Sequence, residues 1–269
     1  MMTVEGSWKS SILYRLLMIG IGCWIILAIV FGLYDLDISK AIVDRTNPFG
    51  IFGADYGEGP GYGIIGIAVA ILIGSTSADL KKQKIGAFIL SAIAIVVLIV
   101  GIILNEEDLL NYGGFIGTMI LGFTLVTLDK DWRSYRTLAL IVVLLAIINP
   151  VLFVSVTKPL CGRIRYRELL NIGFEYYTPW YLPPGPSLDH FSFPSGHTAM
   201  GWMFLPLLIA FRNTKLPVKA LGSIVVIGWG AFVGFSRILV GAHFASDVLF
   251  STGVAFVAII LLYKKFYLK

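Results

Sequence analysis

Eight apolar runs, each near the length needed to cross a lipid bilayer, recur along the 269-residue chain. A helix needs roughly 20 such residues, and within the hydrocarbon layer only helices and closed barrels satisfy every backbone polar group. The chain is 57% hydrophobic and 14% charged, which is typical of a membrane protein. We therefore predict an all-α, polytopic transmembrane bundle that forms a single domain over residues 1–269. The predicted spans are 12–34, 62–79, 85–104, 113–128, 137–157, 195–211, 220–239 and 246–263.

The charge distribution predicts how these spans are oriented. If the amino terminus is cytoplasmic, 14 of the 21 basic residues fall in cytoplasmic segments and 12 of the 16 acidic residues fall in outer segments. This is the positive-inside pattern, so we expect an integral membrane protein with both termini in the cytoplasm. From the chemistry of the loops we expect a bacterial plasma membrane. The inner set includes Glu5, Lys9 and Lys269. The first run is too long for a signal-peptide core, so we expect it to remain as a span.

Composition also argues against other classes of protein. The net charge of +5 invites a nucleic-acid partner, but the basic residues lie between apolar runs rather than in one patch, so we expect none. The two cysteines, Cys23 and Cys161, give no disulfide framework.

The first outer loop, residues 35–61, is long and partly apolar. Asp35 or Asp37 could cap a short interfacial helix that the Asn47–Pro48 pair would end. A plain connector is the alternative. The two prolines inside predicted spans, Pro150 and Pro206, are expected to kink their helices without breaking them.

The stretch Ser236–Asp247, SRILVGAHFASD, carries ionisable residues in the most apolar third of the chain. Such residues cost roughly 2.5–3.5 kcal/mol each at a bilayer centre, which indicates a functional site near a membrane face. Gly241 offers a turn that would place Arg237 at the end of one helix and His243 at the start of the next. Asp247, four residues after His243, would share its helical face and fix one tautomer of a nucleophilic ring. A snorkelling Arg and a hydrogen-bonded buried His are the alternative.

Two further clusters fall on the same predicted side of the membrane, namely KPLCGRIRY at Lys158–Tyr166 and FPSGH at Phe193–His197. Three cations suit the negative charge of a transferring phosphoryl group, and backbone N–H groups at a helix start bind anions. A second histidine could protonate a leaving oxygen. The candidate catalytic residues are His243, His197 and Asp247, and the candidate phosphate-binding residues are Lys158, Arg165, Ser195, Gly196 and Arg237.

Simpler interpretations exist for each cluster. The PSGH sequence could be a turn with a helix cap, and the basic run 158–167 could bind lipid head groups without catalysis. His190 lies in a Pro-rich loop and is expected to be incidental. No His, Cys or carboxylate cluster has metal-ligand spacing, so we expect neither a metal nor a cofactor. Aromatic residues are also expected near the site, where they would form an interfacial belt or line an entrance for lipid. They are Phe174, Tyr176, Tyr177, Trp180 and Tyr181.

The three clusters resemble the motifs of the type 2 phosphatidic acid phosphatases, the lipid phosphate phosphatase superfamily. Lys158 and Arg165 match its K-x6-R-P motif, residues 194–197 match P-S-G-H, and residues 236–247 match S-R-x5-H-x3-D. The one departure is Tyr166, which stands where the family usually has Pro. The family core has six helices, so the resemblance implies about eight spans around a six-helix phosphatase core, with the motifs in residues 158–247.

The resemblance implies a metal-independent phosphatase with its site at the outer face. His243 would form a phosphohistidine and His197 would protonate the leaving group. The implied substrates are lipid phosphates or diphosphates, such as phosphatidic acid, phosphatidylglycerophosphate or a polyprenyl diphosphate, with membrane lipids as surroundings. The alternatives are a sugar-phosphate phosphatase of the same fold, or a lipid-binding or transport protein without turnover. The haloperoxidase branch shares the anion site, but its members are soluble, which the apolar runs disfavour.

Overall fold

The computed structural model describes residues 11–268, and every regular element within this range is helical. Glu5, Lys9 and Lys269, which contribute to the predicted orientation, lie outside the described residues. The α-helices are α1 Ile12–Ile42, α2 Pro48–Tyr56, α3 Gly59–Gly74, α4 Leu80–Leu104, α5 Glu107–Val126, α6 Arg136–Ala146, α7 Ser155–Cys161, α8 Tyr166–Ile172, α9 Gly196–Gly201, α10 Leu207–Phe211, α11 Leu216–Leu239 and α12 Ala245–Tyr267.

Seven helical segments of the described chain are long and apolar enough to cross a membrane, which confirms the all-α membrane architecture. The sixth predicted span corresponds to a shorter apolar segment, Gly196–Phe211. Its α-helical ladder is interrupted by a 3-10 turn at Trp202–Phe204 and by Pro206, which has no N–H to donate. The seven long segments are Ile12–Ile42, Pro48–Gly74, Leu80–Leu104, Glu107–Val126, Trp132–Ile172, Leu216–Leu239 and Ala245–Tyr267.

At the other proline the helix continues. Pro150 lies in a π-helical stretch, Ile147–Val154, between α6 and α7, so the helical run passes through it without a break. The looser π geometry relieves the clash that a proline ring makes in a regular α-helix.

The first outer loop folds differently from the prediction. Asn47 begins α2 instead of ending a helix: its side chain accepts hydrogen bonds from the N–H groups of Phe49 and Gly50 at 3.0 and 3.1 Å, with Pro48 at the first helical position. Asp35 does not begin a helix in this loop, because α1 continues past it to Ile42. The helix tolerates this buried carboxylate because Arg163 pairs with it.

One end of the bundle collects the residues of interest, and we call it the site end. The carboxyl ends of α1, α7 and α11 meet the amino ends of α3, α9 and α12 there. Backbone hydrogen bonds tie these ends together, from Asp44 to Leu239 at 2.9 Å and from Ser195 to Asp247 at 3.1 Å. Helix α12 packs along α1, and α11 packs against α2 and α9. This packing brings segments far apart in sequence to one site.

Candidate active site

The turn between α11 and α12 forms as predicted. Gly241 has a φ of +67°, a conformation that glycine adopts without strain. The turn lets the N–H groups of Ala242 and His243 donate to the carbonyl of Arg237 at 3.0 and 3.2 Å. Arg237 therefore lies in the last turn of α11, and His243 lies two residues before α12 begins.

His243 is 2% exposed, and its ring is fixed by a backbone carbonyl. Nδ1 lies 2.6 Å from the carbonyl oxygen of Ser192 and 3.5 Å from Oδ2 of Asp247. Because a carbonyl oxygen can only accept, Nδ1 carries the hydrogen and Nε2 has the free lone pair. Burial lowers the pKa of His243 to about 4, although Asp247 opposes the shift, so the ring is neutral near pH 7.

The sequence predicts that Asp247 fixes the tautomer of His243, but Nδ1 lies closer to the Ser192 carbonyl, at 2.6 Å, than to Asp247, at 3.5 Å. The difference arises because His243 precedes α12 instead of lying within it. The carboxylate of Asp247 accepts from the Ser192 hydroxyl at 2.6 Å and from the Phe244 N–H at 2.9 Å. Asp247 therefore holds Ser192, whose carbonyl accepts from His243, and it also caps α12.

Arg163 completes a buried network that the sequence did not predict. Its guanidinium is 1% exposed and reaches Asp247 at 2.6 Å, Ser246 at 2.8 Å and Asp35 at 3.0 Å. Ser246 in turn donates its N–H and its hydroxyl to Asp35. The only sequence signal was that Arg163 belongs to a basic cluster on the side where the positive-inside rule disfavours it.

The start of α9 places Ser195, Gly196 and His197 together. Ser195 caps this helix, because its Oγ accepts from the N–H of Thr198 at 3.3 Å and from its hydroxyl at 2.8 Å. A methyl group built on Gly196 would lie 3.5 Å from Nζ of Lys158, so the ammonium lies against this glycine. The pairing of a cation with helix-start N–H groups is suited to an anion.

The other two cations carry unsatisfied donors. The Nε atoms of Arg165 and Arg237 are buried and have no hydrogen-bond partner among the described residues. Arg237 donates through Nη1 to the carbonyl of Ala54 at 3.3 Å. Nη1 of Arg165 lies 3.8 Å from Oε1 of Glu168, which is too long for a hydrogen bond. Buried donors without partners are costly, so an arriving anion would gain from both.

His197 belongs to the same site. It interacts electrostatically with Arg237, His243 and Lys158, and Lys158 interacts in the same way with Arg165 and Asp247. The structure therefore brings all eight candidate residues to the site end. Nδ1 of His197 also lies 3.2 Å from Oε2 of Glu58, an acidic partner that is remote in sequence.

The remaining candidates have structural surroundings of their own. Tyr166, at the position of the family's usual Pro, begins α8 and is buried with its ring 6.3 Å from that of Phe244. Nδ1 of His190 lies 3.3 Å from Glu168, the same carboxylate that lies 3.8 Å from Arg165. Trp180 donates to the carbonyl of Ala28 at 2.9 Å, so this aromatic anchors its loop to α1. No three His, Cys, Asp or Glu side chains within residues 11–268 are arranged to hold a metal ion.

Comparison with known proteins supplies the family. Residues 139–269 match the model of the PAP2 superfamily, whose members are generally phosphatases. The matched region contains all eight candidate site residues and begins within α6. No solved structure matches the chain. The region 139–269 therefore belongs to the PAP2 superfamily, and the seven long apolar helical segments within residues 11–268 fit the membrane branch of that family.

Proposed function

We propose that this protein hydrolyses a lipid phosphate or diphosphate, such as phosphatidic acid, phosphatidylglycerophosphate or a polyprenyl diphosphate, through a phosphohistidine at His243. The observation that carries the proposal is the bond of 2.6 Å from Nδ1 of His243 to the Ser192 carbonyl. This bond favours the tautomer with the lone pair on Nε2, which supports Nε2 as the nucleophilic atom, beside cations with unsatisfied donors.

In the first step, Nε2 of His243 attacks phosphorus while the bond from phosphorus to the leaving oxygen breaks. His197 gives that oxygen a proton. Lys158, Arg165 and Arg237, with the N–H groups at the start of α9, stabilise the negative charge on the remaining phosphoryl oxygens. The positive charge of these three side chains stabilises the transition state of this step.

In the second step, His197 takes a proton from water, and the water oxygen attacks the phosphohistidine. The phosphorus–nitrogen bond breaks and inorganic phosphate leaves. His243 returns to its neutral tautomer, and His197 regains the proton that it gave up, so the cycle balances.

An apolar groove supports a lipid substrate over a soluble sugar phosphate. It has a volume of about 520 Å³ and is lined by Pro60, Phe204, Trp229 and Phe232, among others, between α3 and α11. Phe232 lies five residues before Arg237 on the same helix, roughly 7.5 Å along its axis. A phosphate near Arg237 could therefore extend an attached acyl or prenyl chain into this groove.

The test is phosphate release by the purified protein from a panel of lipid and sugar phosphates, with excess chelator and with vanadate. We expect release from lipid substrates that survives chelation and is blocked by vanadate. Loss of activity in chelator that a divalent metal restores would overturn the mechanism. Preference for sugar phosphates would instead favour the second substrate class.

A further inference from the structure

Glu58 is an acidic side chain at a site that otherwise collects cations. Its carboxylate is 16% exposed, and both of its oxygens have partners. Oε2 lies 3.2 Å from Nδ1 of His197, and Oε1 accepts from the hydroxyl of Tyr112 at 2.9 Å. Glu58 interacts electrostatically with Lys158 and Arg237 as well.

Several contacts fix Glu58 in this position. It directly precedes α3, and its carbonyl accepts from the N–H groups of Gly61 and Tyr62 at 2.9 and 3.3 Å. Helix α5 supports the same segment twice, through Tyr112 and through Asn111, which donates to the Asp55 carbonyl at 3.2 Å. The geometry is therefore set by α3 and α5, both outside the matched region 139–269.

A carboxylate here has a cost. It repels the phosphate that the cations attract, and a neutral amide could make the bond to Tyr112 without that repulsion. The cost has a chemical reason if His197 must carry a proton. Arg237, the neutral ring of His243 and Lys158 face His197 from α11, from the segment before α12 and from α7. Burial, and then the positive charges of Arg237 and Lys158, lower the pKa of His197 and disfavour a protonated ring. Glu58 offsets them.

The two histidines then have anchors suited to different tasks. His243 must stay neutral to attack, and its Nδ1 bonds to an uncharged carbonyl. His197 must hold a proton until the leaving oxygen takes it, and its Nδ1 contacts a carboxylate. A carboxylate stabilises an imidazolium far more than a carbonyl does.

We propose that Glu58, fixed by Tyr112, is the positioning residue for His197: it keeps Nδ1 protonated and stabilises the imidazolium that serves as general acid. This inference rests on the proposed function. The proton given to the leaving oxygen comes from Nε2, while Nδ1, 3.2 Å from the Glu58 carboxylate, keeps its hydrogen. In the second step, Nε2 takes a proton from the attacking water, so Glu58 itself never changes its protonation state.

The kinetic test uses Glu58→Gln, with Glu58→Asp as the conservative variant. Glu107→Gln is the matched control, because it makes the same chemical change at an exposed position at the same end of the bundle. For a lipid monoester, Glu58→Gln should lower kcat roughly 10²-fold, the scale of general acid catalysis. With an activated aryl phosphate, whose leaving group needs no proton, the first burst of alcohol release should stay within a few-fold of wild type.

The pH profile is the second readout. Loss of the carboxylate makes His197 release its proton at lower pH, so the basic limb of kcat/KM for the lipid should move to lower pH in Glu58→Gln. Glu58→Asp should restore the limb at least in part, and Glu107→Gln should leave it in place. The inference would be overturned if Glu58→Gln lost activity equally on the lipid and the aryl substrate and the basic limb of its pH profile did not move. A change in KM alone would mean that Glu58 recognises the head group.

NMR titration of the His197 ring in micelles separates this inference from the proposed function. The midpoint should fall in Glu58→Gln and stay in place in Glu107→Gln, whether or not the protein turns over a substrate. An unchanged midpoint would overturn the role of Glu58 even in an active enzyme. A wild-type protein that releases no phosphate from any substrate would instead overturn the proposed function.

Discussion

At the scale of single residues, the sequence predicts side chains better than it predicts their partners. His243, Asp247 and Arg237 lie within one short stretch, so helical spacing and a glycine turn suffice to bring them together. The closest partner of His243 is the Ser192 carbonyl, and every residue has such a group, so no pattern marks it. Glu58 lies in a different part of the chain, and only the packing of α2 and α3 against α9 and α11 brings it to His197.

The two histidines should fail in different ways when each is removed. His243→Ala should abolish both turnover and the covalent phosphoenzyme, because the nucleophile is gone. His197→Ala should slow a lipid monoester by roughly 10²–10⁴-fold, yet still allow phosphorylation of His243 by an activated aryl phosphate. The measurement is acid-labile, base-stable phosphate on the protein, with rates for both substrates.

Two results would contradict this assignment of roles. One is an equal loss on both substrates in His197→Ala. The other is phosphate trapped on His197 in His243→Ala, in which case the nucleophile and the acid would have to be exchanged.

At the scale of helices, Arg163 connects three elements that the sequence leaves separate. It pairs with Asp35 of α1 and Asp247 of α12, and its Nε donates to the Thr178 carbonyl at 2.9 Å in the loop after α8. The first helix, outside the matched region, thus contacts the network behind the active site. Sequence reasoning takes Asp35 as a helix cap because acidic residues often begin helices, and it cannot show that a buried cation neutralises it.

Removal of Arg163 should therefore destabilise the whole bundle. Arg163→Met leaves the buried carboxylates of Asp35 and Asp247 without their cation, which costs about 3–5 kcal/mol when a buried ion pair loses one partner. Thermal unfolding in micelles, followed by circular dichroism, measures the loss. Arg133→Met is the matched control, because its pair with Asp131 is largely exposed and its removal should change stability little. Equal unfolding temperatures for the two variants would show that the network is not structural.

At the scale of the whole molecule, the two ends of the bundle differ in character. Opposite the site end, Lys84 is buried with Nζ 4.0 Å from the ring centre of Trp132, and it donates to the Lys130 carbonyl at 2.7 Å. The positive-inside rule predicts that this end is cytoplasmic. Helix α11 runs from this end back to Arg237 at the site end, so the short segment Gly196–Phe211 must lead from the site to the opposite end. Its two helical interruptions, at Trp202–Phe204 and Pro206, are features that an apolar count cannot predict.

Cysteine labelling in intact cells tests this arrangement. In a background with Cys23→Ser and Cys161→Ala, single cysteines replace Glu107 at the site end, or Lys82 or Asn213 at the other; all three positions are exposed. An impermeant maleimide should label Glu107→Cys from outside, whereas Lys82→Cys and Asn213→Cys should react only after the membrane is opened. Labelling of Lys82→Cys in sealed cells would reverse the orientation. Labelling of Asn213→Cys together with Glu107→Cys would mean that the segment Gly196–Phe211 does not cross, which would reduce the bundle to seven spans.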